Sequence, residues 1–181
     1  YWRLLEINQP GAEPLVTSAL RADERVVGYM VEPQPQLDDR LQAFVSPLPA
    51  VNDESQPLAS SQRKQVRALK DYLDRQQAAG SANIKVQLTG PESHAKLAIT
   101  RHALAPLGID LVQLALESLP SQPAELEQLL RLWGRERLLL PVALYLETHH
   151  LDHAGEGTSH SQVLQRLAAA GGIVIIASRD L

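Results

Sequence analysis

The 181-residue chain has no cysteine, a single Phe, a single Met and only two Trp. Without thiols, disulfide staples and thiolate metal sites are excluded. With so few rings, a surface that stacks exposed nucleobases is poorly supplied. Positive charge is not in excess either: 17 Lys and Arg stand against 21 Asp and Glu, for a net charge of −4. That balance gives no electrostatic footprint for nucleic acid. No apolar run reaches the length of a membrane span. Tyr1-Trp2-Arg3 opens into a mixed run, unlike the basic-then-apolar pattern of a secretory leader. A cytoplasmic setting fits these absences. The start without Met and the stop at Leu181, directly after a strand-like run, are those of a piece of a longer protein.

What is present is ordinary core material. Hydrophobic residues make up 44 % and charged residues 21 %, enough for one packed domain with or without a small appendage. Residues 1–50 read as a helical appendage: Ser18 is placed to cap a helix over 19–31, and Leu37, Leu41, Phe44 and Val45 mark a second helix near 37–45. Residues 51–61, rich in Pro, Ser and acids, have linker composition. A charged helix follows over 62–79, stopped by Gly80, its Arg63, Lys64, Arg67 and Lys70 forming a solvated face.

From residue 84 the pattern alternates. Strands are predicted at 84–88, 111–116, 141–146 and 173–177, with helices at 96–107, 123–138 and 160–170 between them. Such alternation implies an α/β fold with a parallel sheet covered by helices on both faces. The helix over 123–138 should bury Leu126, Leu129, Leu130 and Trp133. The alternating core therefore spans 62–181, ending after a fourth strand.

The first strand–helix junction carries the chemistry. V-Q-L-T-G-P-E-S-H-A-K-L, residues 86–97, reads as a strand running into a phosphate loop of the G-x-x-x-x-G-K-[ST] type. Gly90 and Lys96 hold their places, and Ser93 and the loop amides could face an anion. Two working parts are missing. Ala95 replaces the glycine that lets backbone approach phosphate, and Leu97 replaces the hydroxyl that ligates Mg²⁺. Lys96 reads equally well as an anion contact and as a surface or helix-cap lysine. Ser93 and Thr100 lack the offset to replace the missing hydroxyl, and His94 is a further candidate anion contact.

Two more positions are degraded in the same sense. The third strand ends L-Y-L-E-T-H-H, so Glu147 and Thr148 stand where an Asp–Glu pair would hold magnesium and activate water. Ser178 follows the fourth strand, at the position of a polar phosphate sensor. Beyond Thr148, His149, His150, Asp152 and His153 crowd together; they offer metal-ligand chemistry, but at no recognised spacing, and a polar loop explains them as well.

These segments together resemble a known family. Y-W-R-L-L-E-I, A-L-R-A-D-E-R-V-V-G-Y-M with L-D-D-R-L, V-Q-L-T-G-P-E-S-H-A-K, L-E-Q-L-L-R-L-W-G-R-E, P-V-A-L-Y-L-E and I-V-I-I-A-S-R are similar in order and type to the N-terminal half of bacterial AAA+ ATPases. The nearest group is the ATPases encoded with extracellular contractile injection systems, phage-tail-like particles that include the antifeeding prophage and the Photorhabdus virulence cassettes. The resemblance implies a three-layer, AAA+-like P-loop fold. It implies a cytoplasmic parent protein that hydrolyses ATP with Mg²⁺, ring oligomers with other AAA+ modules or subunits, and a role in particle assembly or cargo loading. Gly90, Ser93, Ala95, Lys96 and Leu97 then align with the nucleotide loop, Glu147 and Thr148 with the acidic pair, and Ser178 with the sensor. The departures at 95, 97, 147 and 148 imply a degenerate module that serves an active neighbour. The alternatives are a genuine ATP-binding module using Lys96, a metal-binding module through His149–His153, and a purely protein-binding domain.

Overall fold

A computed structural model describes residues 4–8, 14, 16, 18–32, 36–49, 58–114, 119–120, 122–148, 165–167 and 169–179. Residues 51–57 of the expected linker at 51–61, most of the helix expected at 160–170 and the His149–His153 cluster lie outside the described residues, and the last two linker positions already belong to a helix that starts at Ser60.

Near the N-terminus, β1 (Leu5–Asn8) and β2 (Ala19–Ala22) form an antiparallel ribbon in which Leu5 faces Ala22 and Ile7 faces Leu20. Helix α1 (Glu24–Val31) follows at once. It begins later than the spacing predicts, because Asp23, not Ser18, is its cap: the Asp23 carboxylate accepts from the Arg25 N–H at 2.9 Å. The helix expected near 37–45 is also different. A 3-10 turn over Asp39–Leu41, capped by Asp38, leads into β3 (Val45–Leu48). Phe44 and Val45 thus serve strand entry, and of the apolar positions whose spacing predicts a helix only Leu41 lies in the 3-10 turn.

The main body alternates as its sequence predicts. Helix α2 (Ser60–Ala78) precedes β4 (Asn83–Thr89), α3 (Ser93–Leu104), a 3-10 turn (Ala105–Leu107), β5 (Asp110–Leu114), α4 (Pro123–Leu139), β6 (Val142–Glu147) and β7 (Gly172–Ser178). The five-stranded sheet has the order β3-β5-β6-β7-β4. β5, β6, β7 and β4 run parallel, and β3 adds an antiparallel edge in which Val45 pairs with Leu114. The sheet is therefore mostly, not wholly, parallel: a strand from the N-terminal fifty residues completes it.

Because strand side chains alternate in direction, the sheet feeds two cores. Leu111, Ala143, Tyr145, Ile173, Ile175 and Ala177 pack with Leu69 and Leu73 of α2 and with Ile99, Ala103 and Leu104 of α3. Val112, Leu114, Val142, Leu144, Leu146 and Val174 pack with Leu126, Leu129, Leu132 and Trp133 of α4, joined by Leu41 and Val45. Helices on both faces explain why β6 is buried along nearly its whole length. On α4, Leu132 rather than Leu130 completes the buried stripe, while Leu130 is only partly buried. Truncating Trp133 to Ala would remove a fully buried side chain and cost about 3–5 kcal/mol.

One end of the sheet collects the sequence-predicted site. β4, β7 and β6 are neighbours and parallel, so their carboxyl ends lie side by side. In open α/β sheets that edge is where ligands are met.

Candidate functional site

The junction after β4 is tighter than the motif implies. Helix α3 already begins at Ser93, three residues before the expected start at Lys96, and its ladder is in place there: the Lys96 N–H donates to Glu92 O at 3.3 Å. Only Gly90, Pro91 and Glu92 remain as connection. A helical turn therefore occupies Ser93, His94 and Ala95, the stretch that would have formed an open cradle. Ala95 needs no glycine there, since helix is its preferred conformation. Gly90 does need its glycine: φ is +143°, a region that L side chains rarely adopt.

Lys96 is not a surface lysine. Lys96, Ile99, Thr100, Ala103 and Leu104 make the buried face of α3, and Lys96 is only 4 % exposed. Its ammonium donates to Gly90 O at 2.5 Å and to Ser178 O at 2.8 Å. Ser178 O also accepts from the Gly90 N–H at 3.2 Å. One cation thus staples the start of the loop to the end of β7. Burial pushes the Lys96 pKa below its ordinary value, and the nearby Glu147 carboxylate opposes that shift.

The other predicted positions converge on the same edge, each with a partner. Glu147 ends β6 opposite Ala177. The Thr148 N–H and hydroxyl both donate to Ala177 O, at 2.9 and 3.2 Å. Gln87, on β4, donates its amide to the Ser178 hydroxyl at 3.0 Å. Leu97 packs partly buried against the α2–α3 core, and Ser93 is half-buried in the first turn of α3. Sequence reasoning placed Gly90, Lys96, Glu147, Thr148 and Ser178 at one edge, but missed Gln87. Its signal was the alternation of β4, which turns Lys85, Gln87 and Thr89 away from the buried Ile84.

The residues present do not fit magnesium-bound nucleotide. Leu97 offers no oxygen, and the Thr148 hydroxyl already donates to a backbone carbonyl. The Lys96 ammonium is held by two carbonyl oxygens that a phosphate would have to displace. Among the described residues, no group of three or more His, Asp or Glu is placed to hold a metal ion. No helix among them is long and apolar enough to cross a membrane.

A second polar cluster, unforeseen from the sequence, lies on the α4 side. Arg135 and Glu136 are fully buried next to Trp133. Arg135 pairs with Asp23 at 3.1 Å, with Glu136 at 3.2 Å and with Asp38, while Arg25 lies 2.8 Å from Glu136. Arg40 bridges Asp23 at 3.0 Å and Asp38 at 2.8 Å. Three carboxylates and three guanidiniums balance. Burial raises the Asp23 and Asp38 pKa values, but hydrogen bonds from Arg40, backbone N–H groups and the charge of Arg135 hold both below the usual carboxylate range.

No protein-family model matches the chain, and no curated protein matches it. Among solved structures it is similar to a chain from the structural study of katanin self-assembly, with TM-score 0.47 and 14 % identity, covering 82 % of this chain and 55 % of that one. It is similar to Trip13 from Rhizobiales, with TM-score 0.39 and 15 % identity, covering 76 % of this chain and 62 % of that one. It is also similar to a chain of the HORMA:CdnC:Trip13 complex of E. coli MS115-1, with TM-score 0.36 and 12 % identity, covering 79 % and 59 %. The chain thus spans 55 % to 62 % of the length of these neighbours. The chain's own architecture is mixed α/β, a mostly parallel five-stranded sheet with helices on both faces.

Proposed function

We propose that this chain is an AAA+-like module that has given up nucleotide hydrolysis and serves as a scaffold or regulator for an active AAA+ neighbour. The observation that carries the reading is the Lys96 staple. The motif lysine is buried in a helix that starts early, with its ammonium given to Gly90 O and Ser178 O. Support comes also from the placement of the three degraded positions, the loop, Glu147-Thr148 and Ser178, at adjacent carboxyl ends of parallel strands. An edge of this kind keeps the shape of a nucleotide fold while its polar groups hold the fold together.

In this reading residues 62–181, with β3 of the N-terminal fifty residues added to their sheet, are an AAA+-like core, and the partners are other AAA+ modules or subunits in a ring. Resemblance to the ATPases of contractile injection systems extends the proposal to a cytoplasmic role in particle assembly or cargo loading. The test is calorimetric titration of ATP with Mg²⁺ into the chain. No binding tighter than about 1 mM, or about −4 kcal/mol, is expected. Low-micromolar, magnesium-dependent binding that Lys96→Ala abolishes would establish the rival reading, a working ATP site.

A further inference from the structure

The segment from β1 through α1 is attached to the rest of the molecule in an unusual way. Among the described residues of 4–32, the one that is fully buried is a carboxylate, Asp23. Helix α1 buries none of its residues, and Leu5, Ile7, Leu20, Val27, Met30 and Val31 are exposed. A two-stranded ribbon and an eight-residue helix do not hold themselves together in water. What anchors them is the charge cluster: Asp23 to Arg40 and Arg135, and Arg25 to Glu136.

We infer that β1, β2 and α1 form a detachable strap, docked on α4 through the Asp23–Arg135 and Arg25–Glu136 pairs, and that acid releases it while the sheet stays folded. The physical reason lies in the nature of the anchor. Buried ion pairs add little net stability, but removing one partner leaves an uncompensated charge in the interior. Apolar packing degrades gradually. A balanced buried cluster fails as a unit when one carboxylate is neutralised.

Asp23 faces the Arg25 N–H on α1, Arg40 on the 3-10 turn and Arg135 on α4. Asp38 faces Arg40 and Arg135; Glu136 faces Arg25 and Arg135. A cavity of about 510 Å³ opens beside them, lined by Glu6, Glu24, Glu32 and Asp39 together with Arg25 and Arg40. Because Asp23 and Asp38 are held below the usual carboxylate range, docking persists through neutral pH and fails only below about pH 4.

Release would take Asp23 and Arg25 away from Arg135 and Glu136 on α4. That makes the strap a device for switching what α4 presents to a neighbour. It does not depend on whether the Lys96 edge binds nucleotide.

Hydrogen exchange read by mass spectrometry on the full chain, corrected for intrinsic rates, tests this. At pH 7 the amides of 24–32 are expected to be at least about 100-fold less protected than those of 142–147 and 172–178, as a sub-global opening requires. At pH 3 the strap should lose protection while the sheet keeps it. Asp23→Asn keeps the helix cap acceptor but removes the charge; it should speed exchange in 24–32 by about tenfold or more and in 142–147 by less than about threefold. Equal protection of strap and sheet, or loss of both together in acid, overturns the inference. Should Asp23→Asn fail to fold, the acid series on the unaltered chain decides alone.

Discussion

Replacing Lys96 with Met separates a structural lysine from a ligand-binding one. Met keeps most of the buried methylene volume on the apolar face of α3 and removes only the ammonium. Two charge-assisted hydrogen bonds disappear, to Gly90 O and Ser178 O. At about 1.5–3 kcal/mol each they amount to roughly 3–6 kcal/mol gross. Against that stands relief of the burial of a cation, which offsets part of the loss. Ser178 O keeps the Gly90 N–H, so one carbonyl, not two, is left without a donor from this set. A net loss of about 2 kcal/mol follows, equivalent for a chain of this size to a fall in Tm of roughly 4–8 °C. Urea unfolding should show the midpoint falling with an unchanged slope.

The same substitution has a signature in pH. Burial lowers the Lys96 pKa in the folded state, with Glu147 opposing, so the unfolded chain holds more protons just below the ordinary lysine pKa. Stability from this group therefore rises as pH climbs toward the ordinary lysine value near 10.4. Lys96→Met should flatten that rise. A variant as stable as the parent within about 0.5 kcal/mol, with the alkaline rise intact, would refute the staple.

Three further substitutions probe the same edge and the core behind it. Ala95→Gly would restore the motif on paper, but residue 95 is in the first turn of α3, so it should lower stability by up to about 1 kcal/mol and create no nucleotide binding in calorimetry. Gly90→Ala meets no steric neighbour within 4 Å, so its whole effect is backbone strain at φ +143°; a loss of about 1–3 kcal/mol in thermal unfolding is expected. Tyr145 is buried in β6 with a hydroxyl that finds no hydrogen-bond partner among the described residues, and burial raises its pKa. Tyr145→Phe should therefore leave stability unchanged or raise it by about 1 kcal/mol in urea unfolding.

The parallel core was legible because its signals are local and redundant. Ile173-Val174-Ile175-Ile176 is a buried strand in any α/β context, and Gly80 closes α2 with φ +68° as its position suggested. The N-terminal part was harder. Strand β3 is short, and its place beside β5 depends on partners far along the chain, Val45 pairing with Leu114 and Leu48 with Leu111. Asp23, Asp38, Arg135 and Glu136 are each ordinary alone in the sequence; only their meeting, with Arg40 partly exposed beside them, buries them. The adjacency of Arg135 and Glu136 to the buried Trp133 was the available hint. At the loop, the sequence located the residues but not the early start of α3. A stretch of Ser-His-Ala without glycine lets the helix extend backward, and that is a matter of propensity more than of motif.

The account's central claim is that Lys96 is committed to Gly90 and Ser178 and unavailable to a phosphate. NMR of the Lys96 side-chain ammonium and of the Gly90 and Ser178 amides, with and without millimolar Mg²⁺–ATP, tests it most directly. Unchanged resonances, with an ammonium slow to exchange its protons, are the predicted result. Saturable shifts of all three groups in the micromolar range would contradict it.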